Sequence, residues 1–270
     1  MKNQVSPFPQ FQEAIKGLAY NIQLPKNFKV IVSGGSGSGK STLCREILRR
    51  CHELMEDPPK EVFYYYQIYQ KELFDGIKSD LNNIGIRANF IQGTPSDEEL
   101  ESVIESKVKP AVLILDDLQQ QLTRGISNVF NVGSSHARIS ISKYVLILKN
   151  NRTNIFPLSV LMVQNLFDKN PHRRNCSLSA TSIILTKSVR DQTQIFSLGR
   201  QLMPSKGSSL VKIFQESTRE PFSHLMIDLR QTCPEYLRLR GNMFCKGGEP
   251  VSVYVLEDEM RRHLEKNKIY

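Results

Sequence analysis

Gly34-Gly35-Ser36-Gly37-Ser38-Gly39-Lys40-Ser41 is the stretch whose residue types and spacing point most directly to a chemistry. It fits G-x-x-x-x-G-K-[ST] without a mismatch, and each position has a reason. The glycines let the backbone curl so that successive N–H groups turn inward, where they can meet phosphate oxygens. A helix starting near Lys40 adds the positive end of its dipole to the same anion. Lys40 is spaced to reach β and γ phosphates, and the Ser41 hydroxyl to ligate Mg²⁺. The expected ligand is ATP with Mg²⁺, contacted by Gly34, Gly35, Ser36, Gly37, Ser38, Gly39, Lys40, Ser41 and Thr42. A flexible Gly/Ser turn that happens to contain a lysine is the ordinary alternative. The apolar run before it and the helical periodicity after it argue against that alternative.

A second constellation is Val112-Leu113-Ile114-Leu115-Asp116-Asp117, an apolar run delivering two acids at its carboxyl end. Ligands bind at that end of open parallel sheets. Asp116 is expected to hold Mg²⁺, through water, and Asp117 to polarise the attacking water as a general base. Asp117 is one methylene shorter than the Glu that many P-loop ATPases carry there, and capping of the next segment is its other reading.

These residues need elements to position them. Phe28–Val32 is a compact apolar run and reads as a buried strand. Ser41–Met55 carries Leu43, Ile47, Leu48 and Leu54 at helical spacing. Val62–Tyr66 is an aromatic-rich strand and Ala88–Ile91 a third. Ser96 with Glu99 makes a capping box opening a helix. The continuous apolarity of Ala111–Leu115 marks a strand buried on both faces. Val160–Val163, Ile183–Leu185 and His224–Leu229 read as strands, Gln192–Met203 and Leu210–Ser217 as helices. The alternation predicts an α/β fold, a P-loop NTPase with a mainly parallel central sheet flanked by helices. Residues 1–27 read as an N-terminal extension with a short helix, 28–244 as the ATPase domain and 245–270 as a C-terminal tail.

With 270 residues the chain can build one α/β domain with a sizeable core. Lys and Arg number 36 against 27 Asp and Glu, a net charge of +9 that favours a polyanionic partner. The five cysteines form no C-x-x-C pair, which suits a reducing compartment and offers no metal signature. Cys44 and Cys51, seven apart on one helix face, are expected to pack. No apolar leader is present and the longest apolar runs are far too short to span a bilayer, so the expectation is a soluble, intracellular protein without a membrane partner.

Further motifs follow in order: Leu161-Met162-Val163-Gln164-Asn165, Arg173-Arg174-Asn175-Cys176, Val189-Arg190-Asp191-Gln192, Leu198-Gly199-Arg200-Gln201 and His224-Leu225-Met226-Ile227-Asp228. With the two sites above, this order resembles the viral DNA-packaging ATPases of the FtsK–HerA superfamily. It looks most like the poxvirus-type packaging ATPases of large DNA viruses and Maverick/Polinton-type elements. The resemblance covers roughly Phe28 to Phe244. It implies a RecA/FtsK-HerA-like fold and an ATP-hydrolysing translocase of double-stranded DNA, working as a homo-oligomeric ring, a pentamer or hexamer, with a capsid or portal protein as a further partner. It places such a protein in the host nucleus or cytoplasm, or with the virion. Gln164 matches the family's polar sensor, which orients water and feels the γ-phosphate. Arg190 and Arg200 are the candidates for the arginine a ring neighbour supplies, with ion pairing or DNA contact as their other uses. Arg173 and Arg174, with Lys169 and His172, read as a basic loop. The chain departs from the pattern in its Asp-Asp pair and in Ile141–Leu158, which reads as an insertion before the sensor strand. A small-molecule or nucleoside kinase, with Arg238 and Arg240 cast as lid residues, and a hydrolysis-deficient nucleotide-binding protein from a decayed element stay open as alternatives.

Overall fold

The computed structural model describes residues 23–106, 108–118, 122–132, 158–163, 171–203, 207–241, 243 and 251–255. The chain divides into two compact units, neither of them contiguous in sequence. One, the parallel unit, comprises Leu24–Ile31 and Cys44–Ala180; the other, the loop unit, comprises Val32–Leu43 and the described residues from Thr181 onward.

Strand β1 (Lys29–Ser33) is buried throughout, starting in the parallel unit and ending in the loop unit. Helix α1 (Lys40–Arg49) starts in the loop unit and continues in the parallel unit, followed by the single turn α2 (Cys51–Leu54). The long helix expected over Ser41–Met55 is thus broken at Arg50, which leaves the helical region at φ −107°. The parallel unit continues through β2 (Glu61–Tyr66), α3 (Lys71–Asn83), β3 (Arg87–Gln92), α4 (Asp97–Glu105), β4 (Ala111–Asp116), α5 (Arg124–Val132), β5 (Leu158–Val163) and α6 (Pro171–Ser179). Its strand order is β3-β2-β4-β5-β1. β2 pairs in parallel with β3 and β4, and β4 with β5, in a register that sets Tyr64 opposite both Phe90 and Ile114.

This unit's core follows from the continuous apolarity of its strands. Val62, Leu113, Ile114, Val160 and Leu161 are buried, with Ile47 and Leu48 of α1 and Phe74, Ile77 and Leu81 of α3. Each such side chain contributes about 1.5–3 kcal/mol on burial, so truncating Ile77 to Ala should cost about 2–5 kcal/mol. Helix α3 escapes the sequence reading, although Phe74, Ile77 and Leu81 carry its period. Its mid-helix Gly76 costs about 1 kcal/mol in propensity. A Cβ there would lie 2.4 Å from the Arg45 guanidinium, which crosses Gly76 to pair with Asp80 at 2.8 Å. The capping box forms as expected: Glu99 N donates to Ser96 Oγ at 3.1 Å and Ser96 N to Glu99 Oε2 at 2.7 Å. Cys44 and Cys51 are buried, and burial pushes the Cys51 thiol up to about 11.

The loop unit contains the end of β1, then β6 (Ser182–Thr186), α7 (Gln192–Leu202), α8 (Gly207–Ser217), β7 (His224–Asp228), β8 (Leu239–Gly241) and β9 (Ser252–Val253). Its strand order is β1-β6-β7-β8-β9, and β6 to β9 pair antiparallel. The expected mainly parallel sheet therefore holds for the parallel unit and gives way to antiparallel pairing here. An apolar strand carries no mark of its direction, and a ten-residue link such as 229–238 joins antiparallel neighbours where parallel ones need a longer crossover. Among the described residues no helix is long and apolar enough to cross a membrane.

Candidate functional site

The glycine-rich loop lies between β1 and α1, in the loop unit. Gly34 must be glycine because the chain passes β6 at close range: a Cβ would lie 2.0 Å from Thr186 Oγ1 and 2.7 Å from the Thr186 carbonyl oxygen. Thr186 Oγ1 donates to the Ser33 carbonyl at 3.3 Å and lies 2.7 Å from Ser38 Oγ, which donates to the Gly35 carbonyl at 2.7 Å. Gly35 N donates to the Lys187 carbonyl at 3.3 Å. The end of β6 thus fastens both sides of the loop. Thr186 was not singled out in the sequence; a small polar residue closing a buried apolar run was its signal. Gly39 sits at φ +86°, a region open to glycine at little cost. Gly34 is buried, Ser36, Gly37 and Thr42 are exposed, and Lys40 and Ser41 are half-buried. Lys40 Nζ turns back into the curl and donates to the carbonyls of Gly34 (3.0 Å) and Gly35 (2.8 Å). A cationic donor held inside a ring of backbone is suited to receiving an anion.

In the parallel unit, β4 ends in Asp116, which is 4% exposed. Tyr64 of β2 donates its hydroxyl to Asp116 Oδ2 at 2.7 Å. Burial first, then the neighbouring Cys44 and Asp116, holds the Tyr64 phenol well above its ordinary pKa, so it stays a neutral donor. Its ring is fixed against Phe74 and Phe90, with centroids 5.4 and 5.6 Å away. Asp117 points the other way in character: it is exposed and sits at φ +56°, where a non-glycine residue pays a steric cost. The two adjacent acids are therefore presented to different surroundings, one to the interior and one to solvent.

Gln164 lies outside the described residues, as do Lys169 and the stretch 133–157 that carries most of the expected insertion. Arg190 is exposed in the segment after β6, and Arg200 is exposed in the last turn of α7. A Cβ on Gly207 would lie 2.8 Å from Arg200 Cγ, so the Arg200 stem runs over α8. Arg173 and Arg174 fall within α6 and not in a loop, because Pro171 is well placed as a first helical residue.

Arg238 and Arg240 belong to an interior network at the end of β7. Asp228 is fully buried and bound by Arg230 Nη2 at 2.6 Å and Arg240 Nη2 at 3.0 Å. Burial alone would raise the Asp228 pKa; the hydrogen bonds from Arg230 and the charges of Arg240 and Arg230 outweigh it and hold the carboxyl below its usual range. Arg238 bonds the carboxylate of Glu235 and donates to the carbonyl of Asp228 at 2.7 Å. Arg240 is 2% exposed. Neither arginine is presented on a lid.

No protein-family model matches the chain, and no curated protein does. Among solved structures it is similar to the cytoplasmic domain of EssC, at 12% identity and a TM-score of 0.37, over 90% of this chain and 46% of that one. It is also similar to a chain of the E. coli MS115-1 HORMA:CdnC:Trip13 complex, at 15% identity and a TM-score of 0.30, over 76% of this chain and 64% of that one. The chain spans less than half the length of the first and under two thirds of the second.

Proposed function

We propose that this protein binds Mg-ATP on the Gly34–Ser41 loop, hydrolyses it, and uses the cycle to move double-stranded DNA as a homo-oligomeric ring. The observation that carries the reading is the complete phosphate-loop pattern between β1 and α1, with the Lys40 ammonium turned into the curl at 2.8–3.0 Å from its carbonyls. The donor set supports a polyphosphate: a lysine ammonium turned into a curl of backbone that its glycines leave bare of side chains. Mg²⁺, with Ser41 and Asp116 as its proposed ligands, would supply neutralisation of phosphate charge.

The chain's own groups then have distinct tasks. Lys40 would exchange its loop carbonyls for phosphoryl oxygens. Asp117, exposed to solvent, would take the proton of the attacking water, and Gln164 would orient that water. Tyr64 is a positioning residue, keeping the Asp116 carboxylate in one rotamer. Arg190, or in second place Arg200, would act on the nucleotide of a neighbouring subunit; both are exposed, and a guanidinium stays charged and forks onto phosphoryl oxygens. The net charge of +9 supports a DNA partner, since grip on the backbone is electrostatic. The resemblance to viral packaging ATPases supports packaging into a capsid. The kinase alternative loses its two lid arginines to Asp228 and Glu235.

The test is the ATPase rate with and without double-stranded DNA over a salt series. Stimulation that falls steeply with salt is expected, as phosphate contacts release counterions. A flat rate at low salt overturns DNA translocation. Lys40→Ala should abolish turnover, and undiminished turnover in that variant would overturn the assignment of the loop.

A further inference from the structure

Glu220-Pro221-Phe222-Ser223 is the turn between α8 and β7. Ser223 N donates to the Glu220 carbonyl at 3.3 Å, and Ser223 Oγ donates to the same oxygen at 2.6 Å. Pro221 takes the first central position, as its fixed φ favours. Phe222 takes the second, at φ +62°. A positive φ there selects Gly or Asn, and a bulky side chain adopts it only at a cost. The ring does not recover that cost by burial, since Phe222 is 70% exposed. An aromatic residue thus occupies a glycine position and remains in solvent, so the fold alone gives no reason for it.

Its surroundings do give one. A Cβ built on Gly39 would lie 2.8 Å from Phe222 Cδ1 and 3.6 Å from Cε1. The ring therefore stands against the last glycine of the phosphate loop, one residue before Lys40, within a single compact unit. A nucleotide whose phosphates occupy the loop carries an apolar, π-faced base at its other end. An exposed aromatic ring beside the loop is the group that would take the face of that base. We propose that Phe222 is the stacking platform for a purine base of the nucleotide held by Gly34–Ser41. The proposal rests on that loop being the phosphate site.

The experiment compares Mg-ATP with Mg-tripolyphosphate, which has the phosphate chain and no base. Phe222→Ala should weaken ATP binding roughly 10- to 100-fold and leave tripolyphosphate binding unchanged. Phe222→Asn, whose side chain suits a positive φ, should show the same loss while melting no lower than the native chain. The sequence contains no tryptophan, so Phe222→Trp gives a unique reporter. It should retain ATP affinity, with emission changed by ATP and not by tripolyphosphate. Lys40→Ala should lose both ligands. Equal weakening of both ligands by Phe222→Ala, or of neither, overturns the platform while the loop assignment stands. So does an altered oligomeric state in Phe222→Ala with ATP affinity intact, which would make the ring a subunit contact. A native protein that binds neither ligand overturns the loop assignment and the platform with it.

Discussion

Strands β4 and β7 both run as apolar residues into a buried aspartate, yet Asp116 and Asp228 are furnished differently. Asp228 meets two guanidiniums, at 2.6 and 3.0 Å, and its charge is matched inside the protein. Asp116 accepts from the Tyr64 phenol, a donor that burial keeps neutral. The same sequence pattern thus serves two ends. A strand-end acid becomes interpretable through the charge of the groups bonded to it, and these include residues of neighbouring strands, Arg240 of β8 for Asp228 and Tyr64 of β2 for Asp116. Asp228 reads as a structural ion; the metal-holding role proposed for Asp116 rests on its place at the carboxyl end of β4.

The contrast breaks most visibly in stability. Asp228→Ala should cost about 3–5 kcal/mol, because the buried Arg240 is left without its anion. Urea denaturation measures this, and a loss below about 1 kcal/mol would remove the distinction. On the other side, Asp116→Asn should change stability by less than about 1 kcal/mol, as a near-isosteric swap. It should weaken the Mg²⁺-dependent part of ATP binding, read by titration with and without the metal. Asp117→Asn should preserve that binding and slow hydrolysis on the order of 100-fold. Equal effects of the two asparagines on binding and turnover would cancel the proposed division between ligand and base.

Tyr64→Phe sharpens the comparison at a smaller scale. It removes one hydrogen bond to a charged acceptor and should cost about 1–2 kcal/mol with a parallel fall in Mg²⁺ affinity. A stability loss without any change in metal affinity would make Tyr64 a packing residue only. The smallest effect is in pH. With its folded pKa depressed, Asp228 contributes stability that is complete above the ordinary aspartate value, about 3.9, and is lost as pH falls through the lower folded value. Melting temperature between pH 7 and pH 3 should therefore fall more steeply for the native chain than for Asp228→Asn. Parallel curves would exclude that linkage.

Much of the fold was legible because burial on two faces leaves an unbroken apolar run. Ala111–Leu115, Ile183–Leu185 and His224–Leu229 each fall on a strand, with ends displaced by at most one residue. Helix α3 was legible in principle, through Phe74, Ile77 and Leu81, but Gly76 and its polar neighbours obscure the period. Strand direction was not legible, since β6 and β7 look alike whichever way they run. The Gly34–Ser41 pattern and Asp116 stood out as local runs. Thr186, Tyr64 and Phe222 did not, because each reaches its partner only through pairing or a turn: Ser38 and Thr186 are 148 residues apart, Tyr64 and Asp116 52. The Asp228 clamp depends likewise on a register that sets Met226 opposite Arg240.

The close passage of Gly34 against Thr186 also has a consequence for synthesis. The loop leaves the ribosome well before its companion strand exists: 148 residues separate Ser38 from Thr186. At about 5–20 residues per second, that is a wait of roughly 7–30 s. During this interval the nascent chain holds a glycine-rich segment with nothing to curl against, while much of the parallel unit is already translated. A ribosome stalled anywhere before Thr186 therefore carries a chain with the Gly34–Ser41 residues and without the strand that fastens them, and on the proposed reading such a chain would not yet hold nucleotide.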